Sequence, residues 1–142
     1  MKEMRHLGAY GLVIKDNSIA LIRKSRGAYK GKLDLPGGSF EHGERPVETL
    51  TREIKEELGV DVKEYELFDN ESVVVDWNYD GEDVNMHHIG LFYKVLLKDD
   101  NLKSDSDGLD SLGASWYKIS DLKEDDVAPL VWIELNKLKK TR

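Results

Sequence analysis

The sequence contains no cysteine among its 142 residues. This absence excludes a disulfide framework, a catalytic thiol and a zinc site built on cysteine. No segment approaches the roughly 20 apolar residues that a membrane-spanning helix needs, and no apolar run of signal-peptide length follows the first residues. We therefore expect a cytoplasmic protein with no membrane partner.

Basic side chains are outnumbered, with 21 Lys and Arg against 28 Asp and Glu and a net charge of −7. Such a chain is repelled by a phosphate backbone, which argues against a nucleic-acid duplex as its partner. The hydrophobic content of 39% is enough for a packed core, and the length is that of one domain. We expect a single domain over residues 1–142 that acts on a small molecule.

Proline is scarce as well, with three residues in the chain, and one of them predicts the clearest helix. Pro46 suits the first turn of a helix over 46–58, and Gly59 stands where a left-handed C-terminal cap is expected. The apolar side chains between them fall on one stripe, which consists of Val47, Leu50, Ile54 and Leu58.

Alternating and β-branched segments predict the remaining elements. They are strands at 7–14, 18–22, 73–77, 84–97 and 114–119 and a final helix at 129–140. The first two strands and the next two are predicted to form hairpins, with turns at Asp16-Asn17 and Asp80-Gly81. Both faces of 86–97 are largely apolar, so we expect that strand to be covered on both sides. The order is a mixed α+β pattern and not a repeated βαβ pattern.

Three glutamates crowd one face of the predicted helix. Glu53, Glu56 and Glu57 are spaced i, i+3 and i+4, a spacing at which like charges repel. Two of them also lie in the last turn, where the helix dipole is already negative. A bound cation would remove both costs, and carboxylate oxygens suit Mg²⁺ or Mn²⁺. The alternative is an ordinary solvated acidic face.

A glycine-rich turn and a basic segment precede this helix. Gly37 and Gly38 allow a ligand to approach the backbone, and Arg23 is the best candidate for a phosphate contact in the basic segment 23–32. Carboxylates for a cation, an open backbone and nearby positive charge are what the hydrolysis of a phosphate anhydride needs.

These residues carry a family resemblance. Gly38 is followed after five residues by Glu44, and after seven more the chain reads R-E-I-K-E-E-L-G-V from Arg52 to Val60. This resembles the Nudix box, G-x5-E-x7-R-E-U-x-E-E-x-G-U with U a bulky aliphatic residue, and every fixed position matches. The Leu35-Pro36 lead-in and the strand at 116–119 also resemble this family. The resemblance to MutT-like Nudix hydrolases implies an α/β/α sandwich with a mixed β-sheet between helices.

The resemblance also implies a reaction, in which water attacks a diphosphate linkage with the help of Mg²⁺ or Mn²⁺. The substrate would be a nucleoside polyphosphate or another nucleoside-diphosphate derivative. By position, the metal ligands would be the carboxylates of Glu53, Glu56 and Glu57 and the carbonyl group of Gly38. Other members of the family add a ligand or base from a late loop, and the candidates here are Asp105, Asp107 and Asp110.

The same resemblance assigns the remaining catalytic positions. Arg52 would hold Glu44 and orient the loop against the helix, although Arg52 could also be a plain helix-surface ion-pair partner. The general base is left open between Glu53 and Glu56. The tryptophan that often precedes the lead-in is Leu33 here, so an aromatic contact from that place is missing.

Several aromatic side chains are candidates for the substrate side. Trp77 and Tyr79 could stack on a base or cap the core. His87 and His88 lie on opposite faces of one strand, so one of them could be a core residue while the other, His88, lines a substrate cleft.

The sequence leaves the substrate and the oligomeric state open. The proline that marks ADP-ribose hydrolases is absent after the box, and Tyr79 is near the tyrosine typical of diadenosine polyphosphate hydrolases. An enzyme that hydrolyses oxidised nucleotides fits the sequence equally well. The sequence is also compatible with either a monomer or a homodimer. The alternative function is a non-catalytic nucleotide sensor on the same fold. An isopentenyl diphosphate isomerase is disfavoured because its activity is associated with a cysteine.

Overall fold

The computed structural model describes residues 1–105, 108 and 111–140. Within these residues, seven strands, two α-helices and two short 3₁₀ turns follow one another. They are β1 (Lys2–Lys15), β2 (Ser18–Lys24), β3 (Leu33–Asp34), β4 (Gly37–Ser39), α1 (Pro46–Leu58), β5 (Val62–Tyr79), β6 (Glu82–Leu97), β7 (Ser111–Lys118), the 3₁₀ turns Ile119–Asp121 and Glu124–Asp126, and α2 (Pro129–Lys140).

Both predicted hairpin turns are confirmed. Asp16 and Asn17 have φ values of 50° and 65°, and Asp80 and Gly81 have φ values of 50° and 84°. Two consecutive left-handed residues match the right-handed twist of the strands that they join. The predicted helix is confirmed too, because α1 begins at Pro46 and ends before Gly59, which has a φ of 73°.

Strand β1 is the centre of the mixed sheet. It pairs in parallel with β6 from Lys2 opposite Val84 to Val13 opposite Val95, and β5 pairs antiparallel with the far side of β6. Strand β4 pairs with the other side of β1. Beyond the first hairpin, β2 is flanked by β3 and β7. The turn that contains Gly37 and Gly38 is thereby fixed to the middle of the sheet.

The two helices cover opposite faces of this sheet. Ala9 and Val13 of β1 belong to the core cluster of α1, whereas Tyr10 and Leu12 belong to the core cluster of α2. Successive side chains of a strand point to opposite faces, so the alternation produces two separate cores. The architecture is the α/β/α sandwich expected from the sequence. Neither helix in the described residues has the length and hydropathy to span a membrane.

The expectation that 86–97 is covered on both sides is wrong. Met86 and Phe92 are buried in the α2 core, but Leu96, on the same face further along, is 49% exposed. From Tyr93 onward the buried side chains belong to the α1 core on the other face. Each helix covers only part of the strand, so both faces are covered together only around Phe92 and Tyr93.

Candidate active site

Gly38 brings the backbone of β4 against a carboxylate of α1. A Cβ atom at this position would lie 2.8 Å from both Cδ and Oε1 of Glu53. That separation is shorter than real Cβ contacts, so only glycine leaves room for the carboxylate beside the backbone. The side chain of Glu53 is 15% exposed.

Gly37 fixes a second glutamate of the same helix. Its N–H donates a 2.8 Å hydrogen bond to Oε1 of Glu57, and Glu57 is only 1% exposed. The φ of Gly37 is 143°, and a Cβ there would lie 2.2 Å from the carbonyl oxygen of Ala9. Glu57 therefore joins α1 to the glycine turn from a buried position, which differs from the solvated face that its spacing allowed.

Arg52 offsets the repulsion among the glutamates. Its Nη1 lies 3.0 Å from Oε1 of Glu53 and 3.5 Å from Oε2 of Glu56. A bound cation was expected from the sequence to relieve this repulsion, but part of the relief comes from Arg52 within α1. Nη2 of Arg52 also donates to the carbonyl oxygen of Ser39, at 3.3 Å.

The same guanidinium holds Glu44. Nε lies 2.8 Å from Oε2 of Glu44 and Nη2 lies 3.0 Å from Oε1. Hydrogen bonding from Arg52, and then from the backbone N–H of Glu41 and the Thr49 hydroxyl, lowers the pKa of Glu44 to about 2. The pKa of Arg52 is raised in turn, mainly by Glu44. The pair is fully ionised at neutral pH and joins the loop before α1 to the helix.

The oxygen donors here have the chemistry that Mg²⁺ or Mn²⁺ requires. They are the carboxylates of Glu53, Glu56 and Glu57 and the carbonyl group of Gly38, and the carboxylate of Glu53 lies directly against the backbone of Gly38. Across the described residues no group of three or more His, Asp or Glu side chains is arranged so that it could hold a metal ion. The donor set therefore fits the ion by the type of its oxygen atoms, and not by an arrangement of side chains that is already in place.

Of the three late-loop candidates, only one can be located. Asp105 is exposed and does not line the cleft that borders Gly38 and Glu53. Asp107 and Asp110 lie outside the described residues.

A cleft of about 770 Å³ opens beside Gly38 and Glu53. Its lining also includes Trp77 and Tyr79, so the carboxylate and the two aromatic rings border one space. The lining also includes cationic and buried aromatic side chains, namely Arg5, His6, Tyr10, Lys24, Arg26, Tyr29 and His88.

The structure does not bring Arg23 to this cleft. Its Nη1 donates to the carbonyl oxygen of Gly31 at 2.9 Å, and its side chain lines a different cavity with Asp121. Neighbouring residues of a strand point to opposite faces, so Lys24 enters the cleft in its place. The alternation of β2, in which Ile22 faces the α1 core, was the signal in the sequence that could have selected Lys24.

His88 lies in the wall of the cleft and is 2% exposed. Its Nε2 is 2.6 Å from the Tyr10 hydroxyl and its Nδ1 is 2.7 Å from the Tyr29 hydroxyl. The ring stacks on His6 with centroids 4.5 Å apart. Burial, followed by the charges of His6 and Lys24, lowers the pKa of His88 to about 3. The imidazole is therefore neutral, with both nitrogens engaged by tyrosines.

Trp77 and Tyr79 form an edge-to-face pair, with centroids 5.2 Å apart and planes at 82°. Trp77 packs against the α2 core, whereas Tyr79 is 52% exposed. Trp77 is thus both part of the core boundary and part of the cleft lining, and Tyr79 offers an open ring face.

A family profile described as the NUDIX domain matches residues 4–136. The chain therefore belongs to the Nudix family, a class of hydrolases that act on phosphorus-containing anhydrides. Its resemblance to MutT proteins extends over nearly the whole chain. It is 27% identical over 134 residues to an 8-oxo-dGTP diphosphatase of Escherichia coli, a match that covers 93% of this chain and 95% of that protein.

A second relative matches over a shorter stretch. The chain is 48% identical over 50 residues to an ADP-ribose pyrophosphatase of Methanocaldococcus jannaschii, which is 35% of this chain and 30% of that protein. Among solved structures, a MutT Nudix hydrolase from Burkholderia pseudomallei superposes with a TM-score of 0.69 at 22% identity, covering 94% of this chain and 97% of that one. This likeness establishes the fold.

Proposed function

We propose that this protein hydrolyses a diphosphate linkage in a nucleoside polyphosphate or another nucleoside-diphosphate derivative, with Mg²⁺ or Mn²⁺ as cofactor. The observation that carries the proposal is the contact between Gly38 and Glu53 in the lining of the cleft. It brings an ionisable oxygen against the backbone of the glycine turn, beside the space where a phosphate chain would lie.

The proposed metal ligands are Glu53, Glu56, Glu57 and the carbonyl group of Gly38. When bound, the ion neutralises anionic phosphate oxygens and lowers the pKa of the attacking water. Glu57 is held by the N–H of Gly37, so the glycine turn and the end of α1 keep a constant separation.

Glu53 is the better candidate for the general base. It lines the cleft, whereas the side chain of Glu56 is 44% exposed and is not part of the lining. A base must be within hydrogen-bond reach of the proton that it removes, and only the first of these carboxylates borders the substrate space. The contact from Arg52 keeps the Glu53 carboxylate oriented.

The remainder of the cleft supplies complementary binding groups. Lys24 and Arg26 offer positive charge for phosphate oxygens. Trp77 and Tyr79 offer ring faces for a nucleobase, since stacking on an aromatic ring accepts any base. We propose no phosphate contact for Arg23, which lies outside the cleft.

The decisive experiment is a substrate panel with Mg²⁺, Mn²⁺ or EDTA, in which products are identified by mass. The panel contains nucleoside triphosphates, oxidised nucleoside triphosphates, ADP-ribose and dinucleoside polyphosphates. We expect turnover of at least one compound with metal and none with EDTA. Tight nucleotide binding without any turnover would instead favour the sensor. The absence of both binding and turnover would overturn the proposal.

We further propose that the chain acts in the cytoplasm as a single domain on a small-molecule substrate. The sedimentation coefficient of the purified protein, measured with and without nucleotide, shows whether it is a monomer or a homodimer.

A further inference from the structure

A basic loop, residues 25–32, connects β2 to β3 beside the cleft. Its base is closed by backbone hydrogen bonds, from the N–H of Lys24 to the oxygen of Lys32 at 3.0 Å and from the N–H of Gly31 to the oxygen of Lys24 at 2.9 Å. Beyond this base, the loop contributes Arg26 and Ala28 to the cleft lining. The position of its tip therefore decides where the cationic side of the cleft lies.

Tyr29 is the only residue of this loop that is buried, at 7% exposure. Its hydroxyl group lies 2.7 Å from Nδ1 of His88, and the two ring planes are inclined by 27° with centroids 5.5 Å apart. Every other residue from 25 to 32 is exposed or half-buried. Tyr29 is thus the point at which the tip of the loop meets the core.

His88 gives this contact a rigid anchor. It sits on β6 directly opposite His6 of β1 in the parallel register, and the rings of these two residues stack at an interplanar angle of 3°. The Tyr10 hydroxyl engages its other ring nitrogen at 2.6 Å. A neutral imidazole has one donor and one acceptor nitrogen, so the two tyrosine hydroxyls play opposite roles and the ring cannot flip without losing both hydrogen bonds.

We propose that Tyr29 is a positioning residue, whose hydrogen bond to His88 latches the tip of the basic loop against the cleft and holds Arg26 toward the phosphates of the substrate. This inference deepens the proposed function and rests on it for its kinetic consequence. Loss of the latch frees the tip of the loop, weakens substrate binding and leaves the carboxylates of α1 in place.

The first test does not depend on activity. The tip of the loop carries trypsin sites after Arg26 and Lys30, whereas Lys32 lies in the hydrogen-bonded base. Cleavage at the two tip sites therefore reports opening of the tip. Removal of one hydrogen bond by Tyr29→Phe is expected to raise the rate of cleavage at these two bonds roughly two- to tenfold. Tyr65→Phe is the matched control, because Tyr65 is 52% exposed and lines a different cavity; it should leave the rate unchanged.

The second test is kinetic and uses a compound that the substrate panel identifies. Tyr29→Phe is expected to raise KM roughly three- to tenfold with kcat within about twofold of the parent. A merely structural role would lower Tm and accelerate cleavage throughout the chain, with KM unchanged. The proposal is overturned if loop cleavage matches the parent, or if cleavage increases equally at all sites.

The two proposals fail in different ways. If no compound in the panel is hydrolysed, the trypsin experiment still decides whether the latch exists. If hydrolysis occurs but Tyr29→Phe changes neither KM nor loop cleavage, the proposed function stands and the latch does not.

Discussion

Arg52 and Glu44 form a two-point ion pair, with Nε to Oε2 at 2.8 Å and Nη2 to Oε1 at 3.0 Å. The two parallel contacts match the planar fork of a guanidinium to the two oxygens of a carboxylate. The remaining nitrogen, Nη1, contacts Glu53 and Glu56. One side chain thus orients the loop before α1 and two of the three carboxylates among the proposed metal ligands.

Arg52→Lys should therefore reduce activity while the charge is retained. An ammonium group cannot make the paired contacts, so Glu44 and Glu53 lose their common orientation. We expect kcat/KM to fall roughly 10- to 100-fold, the range typical for partners that orient metal ligands. Arg45→Lys is the control, since Arg45 is exposed just before α1. Equal activity in the two variants would show that the fork is not needed.

Glu53→Gln should remove activity with little effect on the fold. The loss of a base or metal-binding oxygen is expected to lower kcat by about 10²- to 10⁴-fold. Tm should stay close to that of the parent, because Glu53 lies at the cleft edge and the amide retains its size. Glu66→Gln, at an exposed position of β5, should behave like the parent. Normal kcat for Glu53→Gln would place the base elsewhere.

The two adjacent glycines give a matched pair of variants. A Cβ at Gly38 meets the carboxylate end of Glu53 at 2.8 Å, which is a flexible group, whereas a Cβ at Gly37 meets the backbone oxygen of Ala9 at 2.2 Å. Gly38→Ala should push the carboxylate aside and lower kcat/KM roughly 100-fold, the loss typical of a reacting group misplaced by about 1 Å, with a nearly normal Tm.

Gly37→Ala should instead destabilise the protein by several kcal/mol, since a positive φ adds about 1–3 kcal/mol to the backbone clash. Urea unfolding and kinetics of both variants test this contrast. If Gly38→Ala is as unstable as Gly37→Ala, then glycine is required at position 38 by the fold. In that case the contact with Glu53 is not the reason for the glycine.

Tyr79→Ala should weaken substrate binding if its open ring face receives a nucleobase. Stacking contributes about 1–3 kcal/mol for each base, so we expect KM to rise roughly tenfold or more with a smaller change in kcat. Tyr65→Ala is a close control, because both tyrosines lie on β5 and both are 52% exposed. An unchanged KM would assign base recognition to another part of the cleft.

The last prediction concerns a carboxyl group outside the cleft. Glu134 of α2 is fully buried, and burial, followed by the neighbouring Asp69 carboxylate, raises its pKa to about 8. Lys137 contacts Asp69 at 2.6 Å and Glu71 at 2.8 Å. At neutral pH the folded protein therefore retains a proton on Glu134 that the unfolded chain releases.

The free energy of unfolding should consequently fall as the pH rises from about 4.5 to about 8, by at most about 1.4 kcal/mol per pH unit from this group. Glu134→Gln is neutral at every pH, so its stability advantage over the parent should be absent near pH 4 and largest near pH 8. Urea unfolding at three pH values measures this difference. An advantage that does not change with pH would mean that Glu134 is not protonated in the fold.

Local rules were enough to predict the clearest parts of the fold. The bounds of α1 follow from Pro46 at its start and Gly59 at its end, and both hairpin turns follow from residues that tolerate positive φ. These features depend on neighbours within a few residues. Short stretches of the sequence were therefore enough to predict the bounds of α1 and the positions of both turns.

Strand β5 shows where local rules fail. The predicted strand was 73–77, but the observed strand begins at Val62. Lys63, Glu64 and Glu66 are exposed there because β5 is the edge of the sheet, where charged side chains are common and hydrophobic alternation is lost. The parallel pairing of β1 with β6 has no local signal either.

In the candidate active site, too, the residue types could be predicted from the sequence, but the contacts between distant residues could not. The motif identified the glutamates, but the burial of Glu57 depends on the N–H of Gly37, twenty residues away in the sequence. Lys24 rather than Arg23 enters the cleft because of the face that β2 presents within the sheet. Contacts that need the assembled sheet could not be predicted from spacing alone.

The parallel alignment of His6 with His88 has a consequence for biosynthesis. On the ribosome, the hairpin of β1 and β2 and the helix α1 can form early, but β1 keeps an unpaired edge until β6 has emerged. The nascent chain therefore passes through a stage with an open strand, at which it is vulnerable to aggregation and a natural client for chaperones. The cleft, whose lining includes Met86 and His88 of β6, is completed only when this strand has emerged.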